Sequence, residues 1–203
     1  MKYTCLLLIV CSVLARCAVG ACSVPNNIKS ADLRRFAPEL MNLRQSDRAR
    51  DSLVKLASSD SSIMNELANV VPFWVEKCKN DPMWVNIVRL TEKLKLTSAA
   101  PALVEALDRK YYESPIVTAY TAEHLVYDPV GRALAAIGDP AIPALSHRWN
   151  QLSNPAERSR IAIILANIGT PAAAMAMRQQ LAKESDPWVK GIINSRLRLI
   201  QSH

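Results

Sequence analysis

The sequence predicts an all-α fold arranged as a short α-solenoid, and three observations carry that prediction. Ala and Leu are abundant while only two Phe and five Gly occur, a balance that favours helix because Ala and Leu lose little freedom there. Apolar residues recur at i, i+3, i+4 and i+7 in successive segments. A proline-containing turn returns along the second half of the chain, the mark of a repeat architecture. With 203 residues, half of them hydrophobic, the chain can bury a sizeable core, which sets aside intrinsic disorder.

The N-terminus reads as a targeting segment. Lys2 is followed by the apolar run Leu6 to Ala15 and then by the small residues Ala18, Val19, Gly20 and Ala21, the order of a secretory signal. The run is too short to span a bilayer and Arg16 interrupts it. Residues 1–21 are therefore expected to be a signal peptide, with 22–29 a short linker. Val19-Gly20-Ala21-Cys22 also resembles a bacterial lipobox, in which Cys22 is the lipidated first residue and the protein an outer-membrane lipoprotein. The alternative is a soluble periplasmic protein in which Cys22 pairs with Cys78, the two cysteines left after cleavage, as suits an oxidising compartment. The two fates of Cys22 exclude each other.

Loss of Lys2 and Arg16 with no acidic residue lowers the formal charge from +7 to +5. Such a charge suits a solvated helical face or attraction to anionic envelope surfaces. Export and the scatter of the basic residues argue against a nucleic-acid partner.

The helix signals are strongest in the second half. Asp128-Pro129, Asn154-Pro155 and Asp186-Pro187 each set an N-cap acceptor before a proline, at the first helical position where a missing N–H costs nothing. Val130, Ala133, Leu134 and Ile137 form one stripe, and Ile161, Ile164, Leu165 and Ile168 another. Gly138 and Gly169 stand where a left-handed residue closes a helix, and Asp139-Pro140 and Thr170-Pro171 are expected to open the next helix at once. The second helix carries its own stripe, as in Ile142, Leu145, Trp149 and Leu152, so a single hairpin leaves apolar surface that only stacking can bury. The step from Ile137 to Ile168 is 31 residues, whereas that from Leu96 to Ile137 is 41.

Asp128-Pro129-Val130-Gly131-Arg132-Ala133-Leu134-Ala135-Ala136-Ile137-Gly138-Asp139-Pro140-Ala141-Ile142-Pro143-Ala144-Leu145 resembles the HEAT-like repeat of bacterial proteins, including the version first associated with phycobilisome lyases. The motif is less regular in residues 154–183 and loose in 81–110, so the resemblance covers 81–203. It implies a scaffold or binding surface more often than an active site. Residues 30–80 read as degenerate N-terminal hairpins: Ser46-Asp47 to cap a helix carrying Leu53, Val54 and Leu56, then Asp60 to Val71 with Ile63, Leu67 and Val71, ended by Pro72. About five hairpins follow at a repeat of roughly 30–45 residues, with a capping helix from Trp188 to Gln201 that buries Val189, Ile193, Leu197 and Ile200.

An insertion at 111–127 separates two repeats and holds four of the five tyrosines. Tyr111, Tyr112, Tyr120, His124 and Tyr127 are the candidate partner-binding residues, because tyrosine offers contact area and a polar end at low entropic cost; the alternative is that the rings pack onto the helices below. His124 beside Glu123 is a weak general-base or metal pair, since adjacent residues do not face each other on a helix and no second His lies at ligand spacing. There is no Gly-x-Ser-x-Gly elbow, and the four glycines of the mature chain are isolated, which speaks against nucleophile and phosphate loops. Trp149 and Trp188 are expected to fill the core or the seams between hairpins. No catalytic residue, metal or cofactor is assigned. The expected function is that of an exported scaffold binding a protein or peptide partner in the cell envelope, through the concave face and the insertion. The alternative is a HEAT-like enzyme, lyase-like or DNA-glycosylase-like, which export disfavours.

Overall fold

A computed structural model describes residues 28–42, 44–78, 84–107, 125 and 127–201. Among them are ten α-helices and no strand: α1 (Ala31–Leu40), α2 (Ser46–Ser59), α3 (Ser61–Lys77), α4 (Trp84–Leu94), α5 (Ala100–Glu105), α6 (Pro129–Ile137), α7 (Ile142–Trp149), α8 (Pro155–Ile168), α9 (Pro171–Leu181) and α10 (Pro187–Gln201). Short 3-10 turns at Thr97–Ala99 and Asp139–Ala141 lead into α5 and α7. The all-α expectation therefore holds.

The packing follows a next-but-one rule. α2 packs on α4, α4 on α6, α6 on α8 and α8 on α10, while α3 packs on α5, α5 on α7 and α7 on α9. Contacts between the rows join α2 to α3, α3 to α4, α5 to α6, α7 to α8, α8 to α9 and α9 to α10. α6 and α7 were expected to form a tight hairpin. They meet chiefly through the Asp139–Ala141 turn, and α6 makes its contact across the rows with α5 instead.

Helix starts follow the predicted caps. The side chains of Asp128, Asn154 and Thr170 accept from the N–H groups of Gly131, Ala156 and Ala173. Asp186 accepts from Trp188 and Val189 at 2.9 and 3.1 Å, at the head of α10. Gly138 and Gly169 have φ of 78° and 71°, a backbone that a side chain strongly disfavours. Lys95, after α4, also holds a left-handed backbone (φ 50°), without being a glycine. The predicted stripes are buried: Val130, Ala133, Leu134 and Ile137 on α6, Ile161, Ile164 and Leu165 on α8, and Val189, Ile193 and Leu197 on α10. Each Leu or Ile so removed from water contributes about 1.5–3 kcal/mol. Ile168 and Ile200 only partly join the core.

Three local expectations are corrected. Ser46 is the first residue of α2, not its cap, and Gln45 stands at the cap without a side-chain hydrogen bond. Trp188 is 46% exposed, unlike the buried Trp74, Trp84 and Trp149, because it lies at the first turn of α10 beyond the Val189–Ile193 face. Pro72 does not end its helix; α3 runs through it to Lys77. A proline at 72 cannot donate to the Ala68 carbonyl one turn earlier, and the Ser98 hydroxyl supplies that bond from the next hairpin at 2.6 Å.

Two helix ends are also closed by side chains from later in the chain. The buried Trp84 indole N–H donates to the Val75 carbonyl at 2.7 Å, and the Asn86 amide donates to Leu40 at 3.2 Å. Each satisfies a carbonyl in the last turn of a helix, which has no partner within its own helix.

Candidate functional site

Because α3, α5 and α7 lie side by side, their outward faces line one groove of about 590 Å³. Its walls come from Pro72 and Phe73 on α3, Pro101 and Ala102 on α5, and Ala144 and His147 on α7. Small residues on α5 and α7 keep the groove open. On α3, Pro72 and the partnering Ser98 both belong to the lining. Phe73 is 45% exposed at its edge, an apolar ring left toward solvent. The polar lining residues sit at the rim: Glu76 pairs with Lys77 at 2.6 Å, Glu105 lies 3.6 Å from Arg148, and His147 Nε2 meets the Gln151 amide at 2.9 Å. The groove can enclose an apolar group between carboxylates.

Of the predicted partner-binding residues, only Tyr127 is described. Tyr111, Tyr112, Tyr120 and His124 fall outside the described residues, as does Cys22. Tyr127 is described and is 44% exposed, directly before the Asp128 cap of α6. It is not part of the groove lining.

The structure does define the base of the insertion. Asp128 is fully buried and caps α6 through Gly131 N–H at 3.0 Å. Arg160 of α8 donates to both of its oxygens, Nε to Oδ2 at 2.8 Å and a terminal nitrogen to Oδ1 at 2.7 Å. The other terminal nitrogen of Arg160 donates to the Leu107 carbonyl, past the end of α5. One guanidinium thus holds both flanks of the insertion. Bidentate charge-assisted bonds are the strong ones. Gly131 is required beside them, since a Cβ there would lie 2.5 Å from Leu125 Cδ1 and 2.6 Å from Asp128 Oδ2.

Two residues earlier on α8, Arg158 does the same toward the C-terminus. It donates to both oxygens of Glu184 at 2.8 and 2.9 Å, and to the carbonyls of Leu152 and Ser153 at 3.1 and 2.7 Å. Burial pushes the Glu184 carboxyl up, but the bond from Arg158, helped by the N–H groups of Asp186 and Ser185, holds it below its ordinary value. Residues two apart point to opposite sides of a helix, so α8 fastens the turns on both its flanks. Sequence reasoning found Asp128 as a cap but missed Arg158 and Arg160. The only signal was two arginines directly before the apolar run Ile161 to Leu165.

Among the described residues, no group of three His, Cys, Asp or Glu is placed to hold a metal ion, and no helix is long and apolar enough to cross a membrane. The sequence matches no family model, and no curated protein or solved structure matches it.

Proposed function

We propose that this chain is a short HEAT-like α-solenoid of the cell envelope that works as a binding or scaffold protein. In this reading the α3/α5/α7 groove takes an apolar segment of a protein or peptide partner, and the tyrosine-rich insertion makes a second contact. The observation that carries it is the groove, an apolar trough across three successive helices of one row with Phe73 exposed at its lip. Exposed apolar surface in a concave site, rimmed by polar groups, is the usual character of an interaction surface. The solenoid reading is supported by the next-but-one packing and by repeated caps and corners at Asp128/Gly138 and Asn154/Gly169. Export is supported by the disulfide at Cys78, a bond kept in oxidising compartments.

Site-specific photo-crosslinking in intact cells tests the proposal. A crosslinker at Ala102 in the groove and another at Tyr120 are expected to capture the same partner, whereas one at the exposed Lys55 on α2 captures none. Yield from Ala102 no higher than from Lys55 overturns the groove as the binding site. Capture from Ala102 alone removes the insertion from the interface.

A further inference from the structure

Cys78 directly follows α3, is 2% exposed and is disulfide-bonded. The other cysteines of the chain are Cys5, Cys11, Cys17 and Cys22, all N-terminal to the described residues. We infer that Cys78 is joined to Cys22, so that the mature protein carries a covalent strap at its N-terminus in place of a lipid anchor.

The inference rests on the export reading, since cleavage before Cys22 removes the other three candidates. The spacing along the chain is compatible with it. The N–H groups of Lys29 and Ser30 donate to the Glu66 carboxylate, Ser30 at 3.0 Å to Oε2, and Ile28 is buried. The chain is therefore fixed against α3 at this point. Cys78 lies twelve residues beyond Glu66, about 18 Å along a helix at 1.5 Å per residue. Cys22 lies seven residues before Lys29, an extended reach of roughly 24 Å. The linker can thus bring Cys22 to the end of α3, within the ~5.5–6 Å between Cα atoms that a disulfide requires. Cys78 also lies two residues past Glu76 of the groove lining, so the strap ends beside the proposed binding site.

Forming the bond removes two electrons from two thiols, and the oxidant is a disulfide-bonded oxidoreductase of the exporting compartment. One cysteine thiolate attacks the oxidant's disulfide and displaces one of its sulfurs. The second cysteine thiolate attacks the resulting mixed disulfide at this protein's sulfur and releases the other. The oxidant leaves as a dithiol carrying both protons. Lipidation converts the same Cys22 sulfur to a thioether, which cannot join a disulfide.

The test uses the full precursor, expressed with export and purified without reductant. Free thiols are alkylated before intact-mass measurement and tryptic mapping. The expected result is a chain starting at Cys22, lighter by two hydrogens than its reduced form, with peptide 22–29 joined to the peptide holding Cys78 and released by reductant. In Cys78→Ser, Cys22 is expected to be alkylated. A diacylglyceryl group on Cys22 in either protein, or alkylation of both cysteines in the wild type, overturns the strap. A chain that keeps Met1 refutes the export reading by itself; in that chain a 22–78 crosslink still upholds the strap, and a crosslink from Cys78 to Cys5, Cys11 or Cys17 overturns it.

Discussion

Replacing Arg160 by Met removes the guanidinium that holds Asp128 and Leu107 while keeping much of the apolar stem. Asp128 is fully buried and Arg160 nearly so, so the variant takes the Arg160 charge away from a carboxylate in the interior. Breaking a buried pair in this way costs about 3–5 kcal/mol. With a urea m-value of about 2 kcal/mol per M, the unfolding midpoint is expected to fall by roughly 1.5–2.5 M. The cost belongs to the buried charge left behind more than to the pair, and a double-mutant cycle separates the two. Asp128→Asn keeps an oxygen for Gly131 N–H but takes the carboxylate from Arg160, whereas Asp128→Asn with Arg160→Met removes both charges together. The double variant is therefore expected to be more stable than the sum of the single losses predicts, by at least about 1.5 kcal/mol. A loss below about 1 kcal/mol for Arg160→Met, or additive single effects, would refute the clamp.

Three further outcomes follow from the same geometry. Gly131→Ala ordinarily stabilises a helix by about 0.5–1 kcal/mol, but here it is expected to lower the melting temperature, because the new methyl collides with Asp128 and Leu125; a rise would contradict the close approach. Ser98→Ala is expected to cost about 0.5–1.5 kcal/mol in the wild type and much less in Pro72→Ala, whose restored N–H can take the Ala68 carbonyl; equal costs by urea titration in both backgrounds would exclude that role. Glu184 has its carboxyl below the ordinary 4.5 in the folded chain, so the unfolded chain binds the proton first as pH falls. Its stabilisation is full above that value and is lost as pH drops through it toward the lower folded value. The midpoint gap between wild type and Glu184→Gln should narrow on going from pH 7 to below 4.5, and a constant gap would rule out the contribution.

Much of the second half was legible in the sequence because its signals are local. Asp128, Asn154 and Thr170 cap the helices they precede, and Gly138 and Gly169 turn the chain with positive φ. These depend on a few neighbouring residues. What was missed depends on partners far along the chain. Pro72 reads as a breaker until Ser98, 26 residues later, supplies the lost bond. Arg160 drew no reading from the sequence, because the groups that meet it in the interior, Asp128 and Leu107, are 32 and 53 residues away. The groove was illegible for the same reason, since its walls are contributed by three helices whose adjacency is set by packing. The tyrosine cluster was conspicuous in sequence, and of it only Tyr127 lies among the described residues.

The clamp on Arg160 also ties the two rows of helices together. Leu107 follows α5 in one row, whereas Asp128 and Arg160 belong to α6 and α8 in the other, and one guanidinium joins all three. Loosening this one side chain would therefore unfasten a helix of one row from two of the other, so the two rows share a single buried rivet.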